Sequence, residues 1–95
     1  MAAHQVKIQQ GPQGQGFVYS PADLKVKKGD TVAWVNSTTI DHTATSDDDG
    51  ASFDTGVIVK NSTSDPQTIN NAPGPVPYHC EIHPKTMKAR LTVVS

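Results

Sequence analysis

The residues best suited to chemistry crowd into one decapeptide, Tyr78-His79-Cys80-Glu81-Ile82-His83-Pro84-Lys85-Thr86-Met87. Within it Cys80, His83 and Met87 are spaced as C-x2-H-x3-M. A further histidine, His42, stands upstream in Ile40-Asp41-His42-Thr43-Ala44-Thr45. One thiolate, two imidazoles and a thioether make a soft, mixed donor set. Two histidines and a cysteine in a plane with a weak axial methionine describe a copper centre that transfers single electrons. The spacing has a mechanical reason. Cys80 ends one strand, a short loop carries His83, and Met87 begins the last strand, so three donors wrap one ion from a single turn. His42 comes from a neighbouring strand and ties the site to the scaffold, while Pro84 stiffens the loop by fixing φ and removing an N–H.

Other chemistries fit these residues less well. Cys80 is the single cysteine, so an intramolecular disulfide is excluded. His79-Cys80-Glu81-Ile82-His83 departs from the H-E-x-x-H zinc-protease signature, because its glutamate comes one place late. Pro75, Pro77 and Pro84 also deny it a helix. A cysteine hydrolase needs a cleft and oxyanion donors for which so short a chain has little room. Zinc on His42, Cys80 and His83 is chemically open, although methionine adds little for zinc. His79 alternates onto the face opposite Cys80 and is expected to be exposed and off the metal, free to touch a redox partner. With Met1 in place His4 is expected to be an ordinary coil or strand-surface histidine; a start at Ala2 would instead create an amine–imidazole chelate for Cu(II) or Ni(II).

The elements that must position these side chains read as strands. Val6 and Ile8, Leu24 and Val26, Val32 and Trp34, and Met87, Ala89, Leu91 and Val93 all recur at every second residue. That period marks strands with one buried face. Between them lie turn-rich stretches at Gly11–Gly16, Lys28-Gly29-Asp30, Asp47-Asp48-Asp49-Gly50 and Pro73-Gly74-Pro75. Short strands at such intervals predict an all-β sandwich or barrel. The acidic run at 47–49 is expected to be a solvated loop tip, and any helix a single turn near 58–66. Seven glycines and seven prolines in 95 residues, with 35% apolar and 18% charged residues, suit one loop-rich domain over 1–95 with a thin core. A net charge of −1 argues against a nucleic-acid binder. No apolar run is long enough to span a membrane.

Two longer stretches carry a resemblance to a known family. The segment from Phe17-Val18-Tyr19-Ser20-Pro21 through Leu24, Val26, Gly29-Asp30-Thr31-Val32, Trp34 and Asn36 is similar to the cupredoxin pattern F-x-P-x-x-L-x-V-x-x-G-D-T-V-x-W-x-N. His42-Thr43-Ala44-Thr45, Phe53-Asp54-Thr55-Gly56 and Tyr78 through Leu91 resemble its first-histidine strand, its F-D-S-G segment and its C-terminal ligand loop. The chain thus resembles type 1 blue copper proteins of the plastocyanin, pseudoazurin and amicyanin type over nearly its whole length.

The resemblance implies a Greek-key β-sandwich of about seven to eight strands with one copper ion on His42, Cys80, His83 and Met87. It also implies electron transport between transient redox protein partners, by a monomer acting in the periplasm or elsewhere outside the cytoplasm. Met1-Ala2-Ala3 is then expected to stand in place of an export signal or membrane anchor of a longer precursor. The edge of His83 is expected at the surface in an apolar patch with Pro84, Met87 and a residue of the Gly11–Gly16 loop. Three departures stand out: three residues between His83 and Met87, where two or four are common; Thr43 where asparagine is frequent; and Ile82 where proline is frequent. Ile82 keeps an N–H that is expected to face the thiolate. Two rival readings are a small copper enzyme acting on a molecule such as a nitrogen oxide, and a copper storage or delivery protein. The lack of C-x-x-C and the presence of only two methionines count against the latter.

Overall fold

Val6 and Ile8 project inward from strand β1 (Ala3–Gln10) while Gln5 and Lys7 face water. The same alternation buries Val26 on β3 (Asp23–Lys27), Val32 and Trp34 on β4 (Thr31–Asn36), and Leu91 and Val93 on β8 (Lys88–Val94). Four more strands complete the computed structural model, which describes residues 2–12 and 16–95: β2 (Phe17–Ser20), β5 (Thr45–Ser46), β6 (Gln67–Thr68) and β7 (Gly74–His79). They form two four-stranded sheets, ordered β2-β1-β4-β6 and β3-β8-β7-β5. Successive strands from β2 to β7 alternate between the sheets, so the chain closes a Greek-key sandwich over one apolar core. Trp34 sits at its centre, stacked on Phe53 at 5.1 Å and edge-on to Tyr78 at 5.4 Å. No helix of the structure is long and apolar enough to cross a membrane.

Mixed pairing sets the register around the site. β1 runs parallel to β4, with Val6 opposite Trp34 and Ile8 opposite Asn36. β7 runs antiparallel to β8, with Tyr78 opposite Ala89, and to β5, with Thr45 opposite His79. The tight turn Lys27–Asp30 feeds β4. It is closed by Asp30 N–H donating to the Lys27 carbonyl at 2.9 Å, and its third residue, Gly29, takes φ +94°. A side chain is strained there, so glycine is the residue the turn needs.

Two expectations need correction. No helix forms within 58–66 among the described residues. Instead Ser62 O accepts the Asn36 N–H, Ser64 N–H donates to Trp34 O, and Ile58 pairs with His42. Backbone groups that cap the open edge of β4 are unavailable for bonds four residues along a helix. His42, expected on a neighbouring strand, instead lies on a single bridge between β4 and β5, because Ile58 alone pairs with its backbone, at 3.2 and 2.6 Å. The run at 47–49 is an exposed turn, as expected.

Candidate metal centre

Three of the four predicted donors converge. Cys80 directly follows β7, His83 lies in the turn leading to β8, and the Ile58 bridge delivers His42 from across the sandwich. His42 Nδ1 and His83 Nδ1 each lie 3.8 Å from Cys80 Sγ, and all three donor atoms fall within 4.8 Å of one another. Nitrogen and sulfur donors held about 2.0 and 2.3 Å from one ion in a trigonal plane stand about 3.7 Å apart, so the cluster fits a first-row metal. Cys80 and His42 are wholly buried and His83 is half-buried. Met87 closes the loop: its N–H donates to His83 O at 3.0 Å, and its carbonyl accepts from Cys80 N–H at 3.1 Å. It is 1% exposed, which corrects its expected place in a surface patch. Ile82, at 48%, together with exposed Pro84 supplies the apolar surface beside His83. Part of the Gly11–Gly16 loop, residues 13–15, lies outside the described residues.

The chain belongs to the plastocyanin/azurin family of copper-binding proteins. Residues 5–94 match the model of that family. Among solved structures, a purple cupredoxin from Nitrosopumilus maritimus aligns with a TM-score of 0.78 at 26% identity, over 95% of this chain and 98% of that one. Amicyanin from Paracoccus versutus aligns at 0.74 and 25% identity, over 97% and 81%. A pseudoazurin from Sinorhizobium shares the fold at 0.74 and 21% identity, over 100% and 76%. No curated protein matches. Copper is therefore the metal of this protein, and the soft thiolate with two imidazoles is a donor set suited to it.

In this cupredoxin several side chains hold the cluster without belonging to it. Thr43 N–H points at Cys80 Sγ at 3.4 Å, and Thr43 Oγ1 accepts the Glu81 N–H at 2.8 Å. Thr43 thus ties the ligand loop to the His42 segment. The amide directed at the sulfur is that of Thr43; among the described residues the Ile82 N–H makes no such bond. The Tyr19 hydroxyl donates to the Thr43 carbonyl, and burial, with Cys80 nearby, pushes that phenol well above its ordinary pKa. Phe17 packs edge-on to His42 at 4.8 Å and lies 5.9 Å from His83. Thr38 Oγ1 lies 3.0 Å from His42 Nε2. Sequence reasoning assigned no site role to Phe17, Tyr19 or Thr38. The two-residue spacing of Phe17 and Tyr19 on one strand was the available signal; the loop carrying Thr38 offered none.

Electrostatics separates the histidines. Burial first, and the adjacent His83 second, hold His42 below the ordinary histidine range, so the ring is neutral at pH 7. His79 stays outside the cluster. Its ring bonds Asp47 through Nδ1 and meets Glu81 at 3.3 Å through Nε2, and the Asp47 contact raises its pKa.

Proposed function

We propose that this protein carries single electrons between protein partners on one copper ion that His42, Cys80, His83 and Met87 would hold. The observation that carries the reading is the pair of 3.8 Å separations between the two Nδ1 atoms and a wholly buried Sγ. When bound, copper supplies the Cu(I)/Cu(II) couple. The chain's residues supply a geometry that changes little between those states. Thr43 fixes the sulfur, the Ile58 bridge fixes the His42 backbone, and the Cys80–Met87 bond closes the loop. Half-buried His83, beside exposed Ile82 and Pro84, offers a short route to a partner that docks on a small apolar surface, as brief electron-transfer encounters do. The enzyme alternative requires an open coordination position, which a centre with two wholly buried donors disfavours.

Adding Cu(II) to the metal-free protein tests the reading. The expected result is an intense thiolate-to-copper visible band with a matching EPR signal, both lost in Cys80→Ala. No band in the wild type, or one that survives the substitution, overturns it. Perturbation of the copper spectrum by added anions or nitric oxide would move the assignment to the enzyme alternative.

A further inference from the structure

Asn36 and Thr38 are polar residues buried to 1% and 6% exposure beside His42, and neither donates to the metal cluster. We infer that they form a relay that fixes the tautomer of His42 and so commits its Nδ1 lone pair to the metal. The inference rests on the copper reading above and deepens it by naming two positioning residues.

The proton positions follow from the partners, one atom at a time. The Ile40 and Ile58 carbonyls each lie 2.9 Å from one side-chain atom of Asn36. Carbonyls only accept, so that atom is the amide nitrogen Nδ2 and the other is Oδ1. Oδ1 accordingly accepts the Thr38 N–H at 3.0 Å. It also lies 2.7 Å from Thr38 Oγ1, and between these two oxygens only the hydroxyl has a proton to give. The Ile40 carbonyl, 2.9 Å from the same hydroxyl, is another pure acceptor. Two oxygens 2.7 Å apart repel unless a proton lies between them, so the single hydroxyl proton stays on the side of Asn36 Oδ1 and the Ile40 carbonyl. Thr38 Oγ1, which also accepts the Ile40 N–H at 3.3 Å, turns only a lone pair toward His42 Nε2, 3.0 Å away.

Nε2 is therefore the protonated nitrogen, and in a neutral ring Nδ1 keeps its lone pair. Nδ1 is the atom that faces Cys80 Sγ. The relay begins in the strand pattern itself. The alternation that sends Val32 and Trp34 into the core sends Asn36 inward at the end of β4. There its amide gathers the Ile40 and Ile58 carbonyls, closing the loop that bears Thr38 and His42. An acceptor on Nε2–H also raises the donor strength of the ring, which favours Cu(II) over Cu(I).

The test uses the full chain, metal-free and copper-loaded, with Thr38→Val and Thr38→Ser. Nitrogen NMR of the metal-free wild type is expected to show His42 protonated at Nε2, with that proton protected from exchange. Thr38→Val should lose the protection, bind Cu(II) about 10–100-fold more weakly and show a raised reduction potential. Thr38→Ser should restore all three. A wild-type ring protonated at Nδ1, a Thr38→Val protein with unchanged affinity and potential, or a Thr38→Ser protein as impaired as Thr38→Val overturns the inference. The metal-free spectrum decides the tautomer even if the copper band itself is absent, so failure of the copper reading and failure of the relay are separate results.

Discussion

A buried thiolate needs donors that stabilise its charge without neutralising it, and at Cys80 the donor is a backbone N–H. Thr43 presents that N–H, and its hydroxyl does a second job by accepting the N–H of Glu81 at 2.8 Å. Where the family often has asparagine, a threonine here reaches the same loop with a shorter side chain. Removing the hydroxyl leaves a part-buried loop amide without its partner, which costs about 1–1.5 kcal/mol. Thr43→Val should therefore lower stability by that amount in urea titrations of the metal-free protein and broaden the EPR spectrum of the copper form. Thr43→Ser keeps the acceptor and should stay within about 1 kcal/mol of wild type, the worth of the lost methyl group. Equal losses in the two variants would show that the contact matters only through packing. Thr43 was visible in the sequence as a departure, but nothing in its neighbours announced the bond to Glu81, because a loop's path cannot be read from residue types that share no period.

The strands differ in how plainly the sequence declares them. Period-2 runs made β1, β3, β4 and β8 legible, since each buries one face and wets the other. The two-residue strands β5 and β6 are too short to hold a period, and segment 58–66 misled because its backbone bonds go sideways to β4 and His42. Donor convergence was legible for Cys80 and His83 from their shared loop, and for His42 through the resemblance alone, because no pattern marks the bridge to Ile58 that delivers it. The end of the sandwich where β1 and β4 begin depends on one carboxylate. Asp30 accepts N–H bonds from Ala2 and Lys27 and bonds His4 Nε2, each at 2.9 Å. These contacts, the Ala2 N–H foremost, hold its pKa well below the usual carboxylate value of about 3.9. A carboxylate with a depressed folded pKa stabilises the protein above its unfolded pKa, and the contribution fades as pH falls through the folded value. Asp30→Asn should be less stable than wild type at pH 7, and the gap between their urea midpoints should narrow steadily below pH 4. A gap that is constant with pH would mean that Asp30 acts through shape alone.

At the scale of the whole molecule the question is whether copper holds the fold or the fold holds copper. A thin core and a lone cysteine invite the first answer, since small domains without disulfides often rely on a metal. The structure favours the second. Trp34, Tyr78, Ile8 and Leu91 interlock between the sheets, and Thr43, Thr38 and the Ile58 bridge brace the donors with bonds of their own. Metal-free wild type should therefore unfold in urea as one cooperative transition. Cys80→Ala should unfold the same way after losing about 1 kcal/mol, comparable to deletion of one buried methylene. Leu91→Ala, which empties a wholly buried core position, should lose about 2–5 kcal/mol whether or not metal is present. Copper in hundredfold excess over its dissociation constant should add about 2.7 kcal/mol to the wild type by mass action and nothing to Cys80→Ala. If the metal-free wild type shows no cooperative transition, the ion is a structural staple and the bracing described here is its consequence. If the transition is present and copper raises its midpoint only where Cys80 is intact, the sandwich builds the donor geometry before the ion arrives. A donor set built in advance is also what the proposed electron transfer needs, since a bound ion would then change charge with little movement around it.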